Sequence, residues 1–273
     1  MRTKAGRSPE LKAAGGRAGG RPSFVPAIDR AIALLALLDS APQQPFSLAE
    51  IARQLAIPKS TTMNICNAMV AGQLLRRSQD GYQLGRRLVQ LGSAYVSSID
   101  IVREFYEVSR TADAELGAMI QLAVLDEDLN AVYLARQDCA SGFRLGLRAE
   151  IGRRVPANCT AAGKALLAAL PPDEFERRLN GRRALPGLTR YSVTSPAKLE
   201  KELALIRRRG FATEDEEILP GVSCIARAAT TSHREDGVVA ISLTMQKPAQ
   251  TPARGKRMHA ALAELVEGLE KRL

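Results

Sequence analysis

Between Val25 and Leu38 the apolar side chains Ile28, Ile32, Leu35 and Leu38 return at helical spacing, and Ala31, Leu34 and Leu37 widen the stripe. The pattern predicts an opening helix, followed by a loop with two prolines over 41–45. Ser47 with Glu50 three residues later then reads as a capping box, in which each residue satisfies a backbone N–H of the other. Ile51, Ala52 and Leu55 make the apolar side of that short helix, and Ala56-Ile57-Pro58 ends it. A second helix is expected from Lys59 to about Ala71, with Ile65, Met69, Ala68 and Val70 inward and Gly72 as its stop. Lys59, Ser60, Thr61, Thr62, Asn64 and Asn67 are left outside. Asp80-Gly81 between two short apolar runs signals a hairpin.

Further on, 86–116 reads as helical with one interruption near Ser97-Ser98, and Leu88, Leu91 and Tyr95 share a side. From Ala118 the texture changes to short apolar runs. Strands are expected over 119–125, 131–135, 143–148, 211–213, 223–228 and 238–244. Helices are expected over 160–170, 173–179, 196–209 and 253–272, the third opened by Ser195 as cap and Pro196 at the first helical position. The order places the chain in the α+β class, with an N-terminal winged helix-turn-helix, a linker helix and a C-terminal α/β domain. The segments are 1–22, a basic arm expected to be disordered; 23–85, the winged helix; 86–116, the linker; and 117–273, the second domain.

Two helices joined by a tight turn and followed by a wing suit DNA, with the second helix entering the major groove. Lys59, Ser60, Thr61, Thr62, Asn64 and Asn67 are the candidates there, because Lys brings charge while Ser, Thr and Asn bond phosphates or base edges. Arg76, Arg77, Gln79 and Tyr82 are candidates for wing and backbone contacts. The competing structural reading is an ordinary helical pair whose polar face is solvated. A formal net charge of +10 favours a polyanionic partner. The four cysteines (Cys66, Cys139, Cys159, Cys224) are widely spaced and the only histidines are His233 and His259, so neither a zinc site nor a disulfide framework is expected. No metal or cofactor is called for. With no apolar run near the roughly 18 residues of a membrane helix, the expected place of action is a reducing cytoplasm, without membrane contact.

With both halves read, the chain resembles the IclR family of bacterial transcriptional regulators from about Val25 to Leu273. The likeness rests on Ile28-Asp29-Arg30-Ala31, Leu48-Ala49-Glu50-Ile51-Ala52, Pro58-Lys59-Ser60-Thr61 and Tyr82-Gln83-Leu84-Gly85. In the second half it rests on the run from Cys159 to Ala168, Gly210-Phe211-Ala212, Asp215-Glu216-Glu217, Gly221, Cys224-Ile225-Ala226 and the strand from Gly237 to Ser242. Asn64 is a departure, since the family usually carries Arg there. The resemblance implies a GAF-like effector-binding domain, operator binding as a homodimer or dimer of dimers (a homotetramer), action as repressor, activator or both, and a response to small organic or aromatic acids. By resemblance the ligand is surrounded by Leu147, Val155, Ala161, Ala162, Glu214, Cys224, Ser242 and Thr244.

Residue chemistry leaves alternatives beside this. The run Cys159-Thr160-Ala161-Ala162-Gly163-Lys164 opens a helix whose free N–H groups attract anions, but its small residues equally suit close packing on a sheet. It is not a phosphate loop, because Asn158 and Ala165 stand where Gly and Ser or Thr are needed. The acidic run Glu214-Asp215-Glu216-Glu217 reads by default as a solvated loop. Arg148, Arg153 and Arg154 could pair with it or with a ligand carboxylate. A cysteine-dependent enzyme using Cys224 or Cys159 with His233 is the main rival, and a protein-binding scaffold the second.

Overall fold

Helix ends explain much of the N-terminal architecture. In the computed structural model, which describes residues 25–110, 112, 116–138, 151–230, 237–247 and 251–273, the chain divides into two compact units between Tyr95 and Val96. The first holds α1 (Pro26–Asp39), α2 (Leu48–Gln54), α3 (Lys59–Ala71), β1 (Leu75–Arg77) and β2 (Tyr82–Leu84), followed by α4 (Arg87–Ser98). The capping box forms as expected: Ser47 Oγ accepts from the Glu50 N–H at 3.2 Å, and Glu50 Oε2 accepts from the Ser47 N–H at 2.8 Å.

Both helices of the pair end in the same way, the first at Ala56-Ile57 as expected but without using Pro58, and the second without using Gly72. Ala56 takes a left-handed φ of 53° and the Ile57 N–H reaches back to Ala52 O at 3.0 Å. Gln73 does the same with φ 59°, and the Leu74 N–H bonds Met69 O at 2.9 Å. These are Schellman closures. Pro58 therefore caps the start of α3 rather than stopping α2, and Gly72, with φ −76°, supplies no special conformation.

The core of this unit gathers Leu34, Leu38, Ile51, Cys66, Met69, Leu75 and Tyr82. Only part of the opening stripe enters it: Ile28 and Ile32 stay 56% and 60% exposed. Tyr82 exchanges both backbone hydrogen bonds with Phe46, which ties the wing to the residue before the α2 cap. Gly81, at φ +145°, has Phe46 O only 2.4 Å from where a Cβ would stand, so no other residue fits that turn. In α4 no residue is buried, and Val89, Leu91 and Tyr95 are exposed.

The helix expected over 86–116 breaks close to the interruption expected near Ser97-Ser98, but its second part is shorter. It is interrupted at Ile99 and resumes as α5 (Asp100–Ser109), ending well before Leu116. Ile101, Val102, Phe105 and Val108 return at helical spacing and sink α5 into the core of the second unit, so it is no free linker. That unit is a six-stranded antiparallel sheet, ordered β5-β4-β3-β8-β7-β6, between two helical layers. The strands are β3 (Met119–Leu125), β4 (Asn130–Asp138), β5 (Arg154–Pro156), β6 (Ala212–Asp215), β7 (Val222–Thr230) and β8 (Val238–Gln246). The expected strand over 143–148 lies outside the described residues, and the short β5 was not foreseen.

On one face α5 and α9 (Pro252–Glu270) cover Leu122, Ile241 and Leu243. On the other, α6 (Ala161–Ala169), α7 (Pro172–Leu179) and α8 (Pro196–Arg209) cover Tyr133, Ala226 and Ala240. Each strand of the central trio is thus apolar on both sides, and period-two alternation is muted there. Close approach seats α6: a Cβ at Gly163 would lie 2.3 Å from Ala157 O in the 3₁₀ turn Ala157–Cys159. The small-residue run is therefore a packing device at Gly163. Gly163→Ala is expected to lower unfolding stability by about 1–3 kcal/mol, measured by urea denaturation of the full chain.

Candidate functional site

On α3 the helical rotation separates two rows. Thr62, Cys66 and Met69 are buried, while Lys59, Ser60, Asn64 and Asn67 are exposed and Thr61 is half-buried. Thr62 is a correction to the outward set. It is fully buried and its hydroxyl donates to Pro58 O at 3.1 Å, because it stands four residues before Cys66 on the inward row. Met63, 45% exposed, is the residue the sequence reading missed; its spacing of four from both Lys59 and Asn67 is the signal that places it on their row.

The wing brings Arg76, Arg77 and Gln79 to the surface. Tyr82 is a second correction: its ring is buried in the core. It still shapes the surface, since the Arg77 guanidinium lies 5.8 Å from the Tyr82 ring centroid.

In the second unit the residues matched by resemblance to a ligand site converge on the α6 side of the sheet, apart from Leu147, which lies outside the described residues. Val155, Ala161, Ala162, Glu214, Cys224, Ser242 and Thr244 are all buried. Register explains the convergence: Glu214 pairs with Cys224, Cys224 with Thr244, and Ala226 with Ser242. Paired residues in an antiparallel sheet project to the same face. Cys224 Sγ lies 3.1 Å from Thr244 Oγ1, which donates to Gln121 Oε1 at 3.2 Å. Gln121, a neighbour of Ser242 on β3, belongs to this polar floor and was not foreseen. Among the described residues, two buried oxygens of the layer, Glu214 Oε1 and Ser242 Oγ, have no close hydrogen-bond partner.

Burial governs the protonation of the layer. It raises the Glu214 carboxyl to about 8, with Glu217 nearby adding to the rise. It pushes the Cys224 thiol up to about 12, and the Tyr133 phenol upward too. At neutral pH Glu214 therefore holds its proton and can donate a hydrogen bond.

The acidic run is not a solvated loop, and this is a third correction. Glu214 and Glu217 are buried, and only Asp215 and Glu216 turn outward, both 2.9 Å from Lys247 Nζ. Glu217 meets a cation the sequence gave no reason to expect inside. Lys164 is fully buried, with its Nζ 2.6 Å from Glu217 Oε1 and 2.8 Å from Glu202 Oε1. The Glu217 N–H then donates to Glu214 Oε2 at 2.9 Å. Arg154 pairs with neither the acidic run nor the buried layer; it bonds Asp126 at 2.6 Å and Asp128 at 2.8 Å. Thr160 caps α6 by accepting from the Gly163 N–H at 2.8 Å.

The two cysteines of the enzyme reading are inert in their surroundings. Cys159 and Cys224 are buried with raised thiols, and Cys139 and His233 lie outside the described residues. Among the described residues no group of three or more His, Cys, Asp or Glu could hold a metal ion. No described helix is long and apolar enough to cross a membrane.

Comparison with known proteins finds counterparts for both units. A family model described as the IclR helix-turn-helix domain matches residues 27–79, and one described as the bacterial transcriptional regulator IclR C-terminal matches residues 93–270. The transcriptional repressor IclR of Escherichia coli (strain K12) is 30% identical over 192 residues, 69% of each chain. The crystal structure of an IclR transcriptional regulator from Alicyclobacillus acidocaldarius is similar with a TM-score of 0.75 at 22% identity, covering 91% of this chain and 99% of that one. An IclR homolog from Microbacterium hydrocarbonoxydans, crystallised with 4-hydroxybenzoate, reaches a TM-score of 0.68 at 23% identity over 90% of this chain and 99% of its own. At these identities the two structures speak for the fold.

The raised Glu214 carboxyl has a consequence for stability. An unfolded chain releases this proton near 4.5, whereas the folded chain keeps it up to about 8. Below the lower value both states carry the proton and the contribution is complete. Between the two values the folded chain binds the extra proton, so its stability falls as pH rises, by at most about 1.4 kcal/mol per pH unit from one group. Thermal melts between pH 5 and pH 8 are expected to show that decline, and Glu214→Gln is expected to flatten it.

Proposed function

The chain belongs to the IclR family of bacterial transcriptional regulators, and from that premise we propose how this member reads DNA and what it senses. It is a DNA-binding regulator with a helix-turn-helix. The observation that carries the reading is the exposed row of α3, where Lys59, Ser60, Asn64 and Asn67 stand together without Thr62. In our reading α3 lies in the major groove of double-stranded operator DNA, with Thr61 and Met63 at the edges of the contact. Met63 offers an apolar surface of the kind that meets a thymine methyl. Arg76, Arg77 and Gln79 hold the backbone from the wing, and the arm over 1–22 adds charge. The site of action is the cytoplasm, where the operator is.

The effector in this reading is a small organic or aromatic acid, held between the N-terminal end of α6 and the floor of β6, β7, β8 and β3. Three features support it. The floor is cut low by Ala226, Ala240 and Ser242. Glu214 Oε1 and Ser242 Oγ are buried with no close partner among the described residues, and buried polar atoms ordinarily have one. A protonated Glu214 donates to a carboxylate or hydroxyl instead of repelling it. The homolog crystallised with 4-hydroxybenzoate shows that this fold can be obtained with such a molecule. No catalytic step is proposed, since a cysteine nucleophile needs a lowered pKa and both buried thiols are raised.

A dimer, or a pair of dimers, is proposed from exposed apolar surface. Ile28 and Ile32 on α1, and Leu91 and Tyr95 on α4, are exposed four residues apart. An effector alters operator affinity only through unequal binding to two arrangements of that dimer.

Two experiments test the reading. In gel shifts over a salt series, Asn64→Ala should erode discrimination between the operator and unrelated DNA by about 1–3 kcal/mol with little change in salt slope. Arg77→Ala should weaken binding to both and reduce the slope by about one. Equal effects of the two changes would remove the division of labour. In sedimentation, the double change Ile32→Glu with Tyr95→Glu should yield monomers that keep the native circular dichroism.

A further inference from the structure

The layer assigned above to the effector occupies one side of β7, through Cys224 and Ala226. The other side of the same strand carries a feature that reading does not use. Arg227 pairs with Ile241, which packs under α5 and α9, so Arg227 belongs to the α9 side of the sheet. There a cavity of about 460 Å³ opens beside the C-terminal end of α8, lined by Arg209, Phe211, Arg227, His259 and Leu262 among others, with no acidic residue in its lining. We propose that this cavity is a second ligand site, and that it binds a small aromatic carboxylate.

The charge is unbalanced in a way that a ligand would correct. Arg227 is half-buried on β7, and its side chain makes no hydrogen bond or ion pair with any described residue. A guanidinium partly withdrawn from water is normally matched by an anion. Arg209 is already held in place. Its Nε donates to Phe211 O at 2.6 Å, one terminal nitrogen donates to Thr213 Oγ1 at 3.0 Å, and its guanidinium lies 4.6 Å from the Phe211 ring centroid. Its other terminal nitrogen has no described partner. Two guanidinium groups, one fixed and one free, make a fork for a planar carboxylate.

The remaining wall selects the body of the ligand. The Phe211 and His259 rings meet edge to face at 4.3 Å, and buried Leu262 lies beside them. This surface is aromatic and apolar. An inorganic phosphate would leave it uncovered, whereas a flat ring carrying a carboxylate fills both parts. The volume lies within the roughly 300–1,000 Å³ typical of small-molecule sites. The proposal does not depend on the effector reading, because its residues face the opposite side of the sheet.

The chain contains only two histidines, which supplies a local reporter. Ring carbon–proton NMR signals of the full chain are recorded at fixed pH, with His259 assigned by His233→Gln. Benzoate is expected to shift the His259 signals along a saturating curve. Benzamide, which has the same shape without the charge, is expected to bind about tenfold more weakly or worse, and Arg227→Gln to weaken benzoate about tenfold. Because Arg227 has no described protein partner, that variant should melt as the parent does. Stationary His259 signals, equal binding of benzamide, or full benzoate binding by a folded Arg227→Gln chain would each overturn the proposal. Should that variant unfold, the benzoate–benzamide comparison on the unaltered chain decides alone.

Discussion

The second unit is arranged around an ammonium group that has no water to solvate it. Lys164 is fully buried in a helix made otherwise of Ala, Gly and Leu, and two glutamates come to it from elsewhere in the chain. A buried charge is strongly unfavourable unless paired and hydrogen-bonded, and losing one partner of such a pair costs about 3–5 kcal/mol. The requirement works on two distant segments at once. Glu202 brings α8 against α6, and Glu217 draws the end of the acidic run inward.

That second tether organises the polar floor. Once Glu217 is held by Lys164, its backbone N–H is in place to bond Glu214, and the register of β6 against β7 sets Glu214 beside Cys224. The same burial that makes the ion pair necessary pushes the Glu214 carboxyl up. Burial, with Glu217 beside it, keeps the Glu214 carboxyl neutral against the opposing pull of the nearby Lys164 charge. The residue just before Lys164 obeys a different constraint, since Gly163 is there because a backbone carbonyl occupies the space of a side chain.

Local signals were legible in the sequence wherever a short-range contact decides the structure. The Ser47–Glu50 box, the Asp80-Gly81 turn and the Ser195-Pro196 start all stand as read, because each is settled within a few residues. Legibility failed where a tertiary partner decides. Thr62 and Tyr82 have polar atoms and suit a DNA surface by type, yet one lies on the row of Cys66 and the other pairs with Phe46. Residue type outweighed position in both misreadings, helical phase for Thr62 and strand pairing for Tyr82. Acidic residues in a row suggest solvent, and nothing nearby in the sequence announces that Lys164, some fifty positions earlier, will bury the last of them. The layer proposed for the effector could be named only through family likeness, since its members come from four separate strands and one helix and no spacing rule joins them. Gln121 escaped even that.

The tie between the wing and Phe46 has a consequence beyond local stability. With Tyr82 bonded to Phe46 on both backbone groups and Gly81 pressed against the same carbonyl, the wing cannot swing without carrying α2 and α3 along. The DNA-reading part is a solid tool with no adjustable jaw. Whatever message reaches it can only displace the tool as a whole, so in the dimer proposed above information is expressed as the distance and phase between two identical tools on one duplex. Along B-DNA each base pair advances about 3.4 Å. The length of the gap between half-sites is then as much a part of the regulatory code as the bases within them.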